Sequence, residues 1–167
     1  MARIGEILVS LGECTEEAVE EAFRQQASFG ARIGTNLLRM GAVHEAPLAR
    51  ALGMLHGVLG MSGDIRVDPQ TAALITRSVA ERYNVVPYRA MEREVGVLFR
   101  DPGDLRSLDD VAFALGKRVR PFAVPEARLW ALMWRLYAIR RTPHGGASDT
   151  PTVDPGVAGD EVLAPAR

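Results

Sequence analysis

Apolar residues recur at helical spacing from the start of the chain, and the spacing itself repeats. Sliding the sequence by 29 positions lays Arg3-Ile4-Gly5 on Arg32-Ile33-Gly34, Leu8 on Leu37, Leu11 on Met40, Gly12 on Gly41, Val19 on Leu48, Ala22 on Ala51 and Phe23 on Leu52. Each copy of this unit of about 24 residues predicts a short amphipathic helix opening at Arg-Ile-Gly, a break at the glycine of Leu-Gly or Met-Gly, and a second helix. Thr15, with acids directly after it and Ala18, Val19, Ala22 and Phe23 behind, reads as an N-cap with a negative first turn and an apolar face. His44-Glu45-Ala46-Pro47 holds that place in the second copy, where an early proline costs no intrahelical bond. Two helix-turn-helix units, residues 2 to 57, are thus expected to pack as a four-helix layer.

The pattern changes after residue 58. Leu59 to Asp68, rich in glycine and small residues, reads as a connection, and Asp68-Pro69 as a helix start leading into one helix from Thr71 to Tyr83. Val85-Val86-Pro87-Tyr88 and Val95-Gly96-Val97-Leu98-Phe99 flank Glu92-Arg93-Glu94 and predict a β-hairpin that Asp101-Pro102-Gly103 terminates. A helix from Asp104 to Leu115, a strand from Val119 to Ala123 and a helix from Glu126 to Tyr137 complete the set. Pro121 places that strand at an edge or a bulge. The expected fold class is α+β: a helical subdomain of tandem repeats over 1–58, an α+β subdomain over 59–141, and a tail over 142–167 too poor in apolar residues to order itself.

Composition removes several function classes. Apolar residues make up 47% of the 167, enough for a core, and the net charge of −1 gives no basic excess to drive counterion release from a nucleic acid. The repeat region holds five arginines against seven acids, which argues against a groove-reading helical hairpin. No run approaches the roughly 18 apolar residues of a membrane span, the start does not read as a signal peptide, and the single cysteine, Cys14, reads as core filler in a cytosolic chain. Gly116-Lys117 is no phosphate loop, because Val111 stands where the first glycine belongs and Arg118 where Ser or Thr would meet magnesium. His44, His56 and His144 lack metal-ligand spacing with Cys14 and read as solvated or capping side chains; Glu16, Glu17, Glu20 and Glu21 read as a solvated helix face. No catalytic constellation is predicted, and no metal or obligatory cofactor.

The repeated Arg-Ile-Gly is the sharpest local signal. A guanidinium at an exposed helix start can pair with a phosphate or stack on a purine, while glycine lets a ligand approach the backbone. The other reading of the same residues is that Gly5 and Gly34 permit close helix packing and the arginines are merely on the surface.

These motifs, RIGEILVSLGECTEEAVEEAFRQQ and RIGTNLLRMGAVHEAPLARALGML, resemble the tandem motifs of the MshEN domain, the amino-terminal domain of type II secretion and type IV pilus assembly ATPases. DPQTAALITRSVAERYNVVPYRA, FRDPGDLRSLDD and EARLWALMWRLYA are similar to the α+β part of such domains, so the resemblance spans residues 2 to 140. It implies a cytoplasmic, non-enzymatic regulatory or docking module, free-standing without an ATPase domain and not inserted in a membrane. Its partners would be secretion or pilus proteins, an ATPase or an inner-membrane platform component that can hold it at the membrane. It also implies cyclic di-GMP as a regulatory ligand, read by Arg3, Ile4, Gly5, Leu8, Gly12, Val19, Phe23 and Gln26 of the first motif and by Arg32, Ile33, Gly34, Leu37, Gly41, Leu48 and Leu52 of the second, with Asp101 meeting it from the α+β half. Two departures bear on that ligand: Leu55 stands where the family has glutamine, and Glu13-Cys14 replaces an apolar pair, bringing a carboxylate toward an anionic ligand. The alternative is a scaffold that docks proteins and binds no nucleotide.

Overall fold

A computed structural model describes residues 3–141, and the predicted tail over 142–167 lies outside them. The chain runs α1 (Ile4–Ser10), α2 (Glu16–Phe29), α3 (Ile33–Arg39), α4 (Glu45–His56), β1 (Leu59–Gly60), α5 (Pro69–Ala72), α6 (Arg77–Tyr83), β2 (Val85–Ala90), β3 (Glu94–Phe99), α7 (Leu105–Leu115), β4 (Arg118–Ala123) and α8 (Glu126–Tyr137). The repeat is realised in the backbone. α1 and α3 are each seven residues long, α2 and α4 begin 29 positions apart, and the intervening turns pass through Gly12 and Gly41 at φ 70° and 67°, a left-handed conformation that glycine adopts without steric cost. Thr15 caps α2 by accepting the Ala18 N–H at 3.3 Å, whereas His44 opens α4 with no side-chain cap. Leu8, Ala22, Leu37, Val43, Leu48 and Ala51 close the core of this layer.

A second core surrounds a four-stranded sheet in the order β1-β4-β3-β2, with β2 antiparallel to β3 and the other neighbours parallel. Every residue of β3 from Val95 to Phe99 is buried, with α5 and α8 packed along β2 and α7 along β4.

Three expectations change. Leu59–Gly60 is a strand and not only a connection: it pairs with Phe122 and Ala123, and Gly60 rides so close over α4 that a Cβ there would stand 1.8 Å from the Ala49 carbonyl. The helix expected from Thr71 to Tyr83 is two helices. Thr76 accepts the Val79 N–H at 3.2 Å and starts α6 afresh, which turns Ile75 into the core and leaves Leu74 41% exposed. β4 is an internal strand, yet only at its end. The Ala123 carbonyl faces β1 and accepts the Met61 N–H at 2.8 Å, so the nitrogen of Pro121, two residues earlier, faces the same side at a level where β1 has not begun. The missing donor of Pro121 therefore breaks no ladder bond.

Candidate functional site

Both Arg-Ile-Gly motifs open a helix with the arginine as an extended N-cap, at φ −91° for Arg3 and −63° for Arg32. The glycines that follow let the paired helices meet: a Cβ on Gly5 would fall 2.5 Å from Val19, and one on Gly34 would fall 3.0 Å from Leu48. Those two contacts are the same contact 29 residues apart, so the packing role of these glycines is realised in each copy. Leu8, Leu37 and Leu48 are at most 2% exposed and lie in the core beneath the motifs, with Ile4, Ile33 and Leu52 packed partly buried around them. Phe23 turns outward at 54% exposure, and Gln26 is half-buried.

The two arginines differ in what they meet. Arg3 is exposed, its backbone N–H donates to Glu6 Oε2 at 3.0 Å, and its guanidinium has no polar partner among the described residues. Arg32 reaches into the α+β half, where Nη2 stands 3.3 Å from Asp101 Oδ2 and Nη1 donates to the Arg100 carbonyl at 3.5 Å. The structure thus brings Arg32 and Asp101 together across 69 residues of sequence.

Around that pair runs a polar seam that sequence reasoning missed. Thr35 donates to Glu126 Oε2 at 3.0 Å and Arg100 to Glu126 Oε1 at 3.4 Å, with the Glu126 side chain only 8% exposed. Arg128 grips Glu45 with both nitrogens of its fork, at 2.7 and 2.5 Å, and the Gly63 N–H adds a third bond to Glu45 at 3.1 Å. Burial pushes the Glu45 carboxyl up, but the Arg128 and Gly63 bonds outweigh it and hold the group below its ordinary range. Arg128 is correspondingly raised, chiefly by its bond to Glu45. No local pattern announces these partners, because each lies at least 18 positions from its mate.

His56, expected to be solvated or capping, is instead largely enclosed. Its side chain is 16% exposed, Nδ1 lies 3.9 Å from Asp101 Oδ1, and a Cβ on Gly103 would crowd that nitrogen at 2.9 Å. Asp101 also accepts the Gly103 N–H at 3.2 Å. Glu13 does not stand as a bare carboxylate: Arg50 of the second repeat pairs with it at 2.5 Å. Cys14 is half-buried against the helical core, and burial pushes its thiol above the ordinary range, which disfavours a thiolate nucleophile.

Comparison with known proteins follows the same two halves. Residues 62–143 match the MshEN domain family, so the match falls on the α+β unit and not on the tandem motifs. The type IV pilus assembly ATPase PilB of Myxococcus xanthus is 30% identical over 137 residues and that of Thermus thermophilus 37% over 136. These alignments take 81% and 80% of this chain but only 24% and 15% of the relatives, so the chain spans a quarter or less of either. Among solved structures, MshE with cdg (cyclic di-GMP) superposes with a TM-score of 0.62 at 23% identity, covering 82% of this chain and 100% of that one. The N-terminal domain of XpsE superposes at 0.53 and 19%, covering 81% and 94%. At these identities the two structures establish the fold.

Proposed function

The chain carries an MshEN domain, and from that premise we propose that it is a non-catalytic regulatory and docking module of a type II secretion or type IV pilus system, with cyclic di-GMP as its regulatory ligand. The observation that carries this reading is the matched pair of arginines, Arg3 and Arg32, each the extended N-cap of an equivalent short helix over an equivalent glycine contact. Two like guanidiniums suit a ligand with two like halves, since each can take a phosphate oxygen pair or stack on a purine. Asp101, already beside Arg32, adds a carboxylate able to accept from the N–H edge of a guanine. The relatives' identity as pilus assembly ATPases, and the cyclic di-GMP held by MshE, support the same assignment. The module works in the cytoplasm, next to an ATPase or an inner-membrane platform component.

A second reading, a docking scaffold without nucleotide, is favoured by two observations: Arg32 is engaged by Asp101 and the Arg100 carbonyl, and Leu55 offers no amide where the motif has glutamine. Calorimetric titration with cyclic di-GMP decides between them. The first reading expects saturable binding, weakened about ten- to hundredfold in Arg3→Ala and in Arg32→Ala, the worth of a charge-assisted bond. Absence of heat at high ligand concentration from a folded sample leaves the scaffold.

A further inference from the structure

The Asp101 carboxylate is shared. Arg32, the N-cap of α3, stands 3.3 Å from its Oδ2, and His56, in the last turn of α4, brings Nδ1 to 3.9 Å from its Oδ1, which also accepts the Gly103 N–H at 3.2 Å. Both basic side chains belong to the second repeat, and the carboxylate between them comes from the α+β half. The first repeat has no such arrangement. The position 29 residues before His56 is Ala27, which is exposed, and the Arg3 guanidinium has no polar partner among the described residues.

His56 is held in this place. Its side chain is 16% exposed, and Gly103 lies flush with the ring, so that a Cβ there would stand 2.9 Å from Nδ1 and 3.4 Å from Cε1. At 3.9 Å a neutral imidazole makes no hydrogen bond to the carboxylate, whereas an imidazolium makes an ion pair with it. Histidine is the side chain that passes between those two forms from about pH 5 to 8. Among the described residues, the surrounding elements bring no other ion pair to the ring. β1 has no charged residue, Glu6 of α1 accepts the Arg3 N–H, Arg118 and Arg120 of β4 are exposed, Arg100 turns to Glu126, and Asp104 accepts from Ser107.

We propose that His56 is a positioning residue that makes ligand binding by the second repeat proton-dependent, a coupling that rests on the cyclic di-GMP reading. With His56 neutral, Arg32 is the one cation on Asp101 among the described residues and is committed to it. Protonation places a second cation on the same carboxylate, which loosens its hold on Arg32 and leaves that guanidinium for a ligand phosphate. The site also gains one positive charge toward a ligand that carries two phosphates. Because protonation favours the anion, the anion favours protonation by the same factor. Affinity is therefore greatest in acid, falls as the pH rises through the imidazole range, and is flat once the ring is neutral.

Calorimetric titration of the whole chain with cyclic di-GMP, at constant ionic strength and at several pH values, tests this. The wild-type chain should bind about fivefold more tightly at about pH 5.5 than at about pH 8. Between those values binding should take up protons, read from the dependence of the heat on the ionisation enthalpy of the buffer. His56→Gln, which keeps a polar side chain but cannot carry the charge, should bind at both pH values as the wild type does at the higher one, with no proton uptake. His44→Gln, at the exposed start of α4, should keep the wild-type response. Far-UV circular dichroism verifies that each variant is folded, and the wild-type proton uptake is read without any variant. Equal wild-type affinity across the range, binding without proton uptake, or a pH response that survives in His56→Gln or is lost in His44→Gln overturns the coupling and leaves the cyclic di-GMP reading in place. Absence of binding at every pH overturns both.

Discussion

The two repeats share a backbone and differ in what covers them. On α2 the outward positions are Glu16, Glu20 and Arg24, all exposed. Their counterparts on α4 are Glu45, Ala49 and Gly53: a carboxylate bound by Arg128, an alanine 2% exposed, and a buried glycine whose Cβ would fall 2.7 Å from the Gly60 nitrogen and the Val58 carbonyl. In the copy that β1 and the sheet cover, two of the three positions carry no charge and the third is ion-paired; in the copy that faces water all three are charged. The arginines follow the same division, with Arg3 facing solvent and Arg32 facing Asp101. The two helix starts are therefore equivalent in backbone and unequal in surroundings, the second being held at the seam by Asp101 and the Arg100 carbonyl.

The sharpest way to break this comparison is at the β1 seam. Gly60→Ala should cost about 3 kcal/mol or more in urea unfolding, because its Cβ meets backbone that cannot yield, while Arg24→Ala, on the solvated copy, should stay within about 0.5 kcal/mol. Equal effects would mean that α4 is no more constrained than α2. Next in size, Glu45→Ala should cost about 1.5–3 kcal/mol for the loss of charge-assisted bonds, and Glu16→Ala, at the equivalent exposed position, within about 0.5 kcal/mol.

The same pair carries a pH dependence. Because the folded Glu45 carboxyl is held below its ordinary value of 4.5, its contribution is complete above that value and is lost as the pH falls through the folded pKa. The stability difference between the wild-type chain and Glu45→Gln should therefore shrink in acid titration below that point; a constant difference would assign the effect to packing alone. A smaller contrast lies at the caps. Thr15→Ala should cost about 1 kcal/mol, and His44→Ala about a few tenths, since His44 makes no capping bond. Also small, Arg32→Ala should cost about 0–1 kcal/mol of stability, its pair with Asp101 being over 40% exposed on both sides. Arg3→Ala should cost nothing measurable in urea unfolding, so its effect on ligand binding can be read without correction for unfolding.

Local patterns along the chain were sufficient for the repeat, its four helices, the hairpin and the α+β class. Apolar spacing, glycines at positive φ and the caps at Thr15 and Asp68 act within a few residues, so they are visible in one dimension. The family resemblance too was legible, in the repeats and in the α+β segments alike, and the family match falls on the α+β unit. Other features were decided only by the tertiary structure. Leu59–Gly60 becomes a strand because β4 is there to pair with it, Leu74 turns outward because Ile75 takes the core, and Arg32, Thr35 and Glu45 become seam residues because Asp101, Glu126 and Arg128 arrive from far along the chain. In the sequence the two arginines are alike; only the fold, by laying one against a carboxylate and leaving the other in water, makes them different, because a charge's partners are set by distance in space and not by distance along the chain.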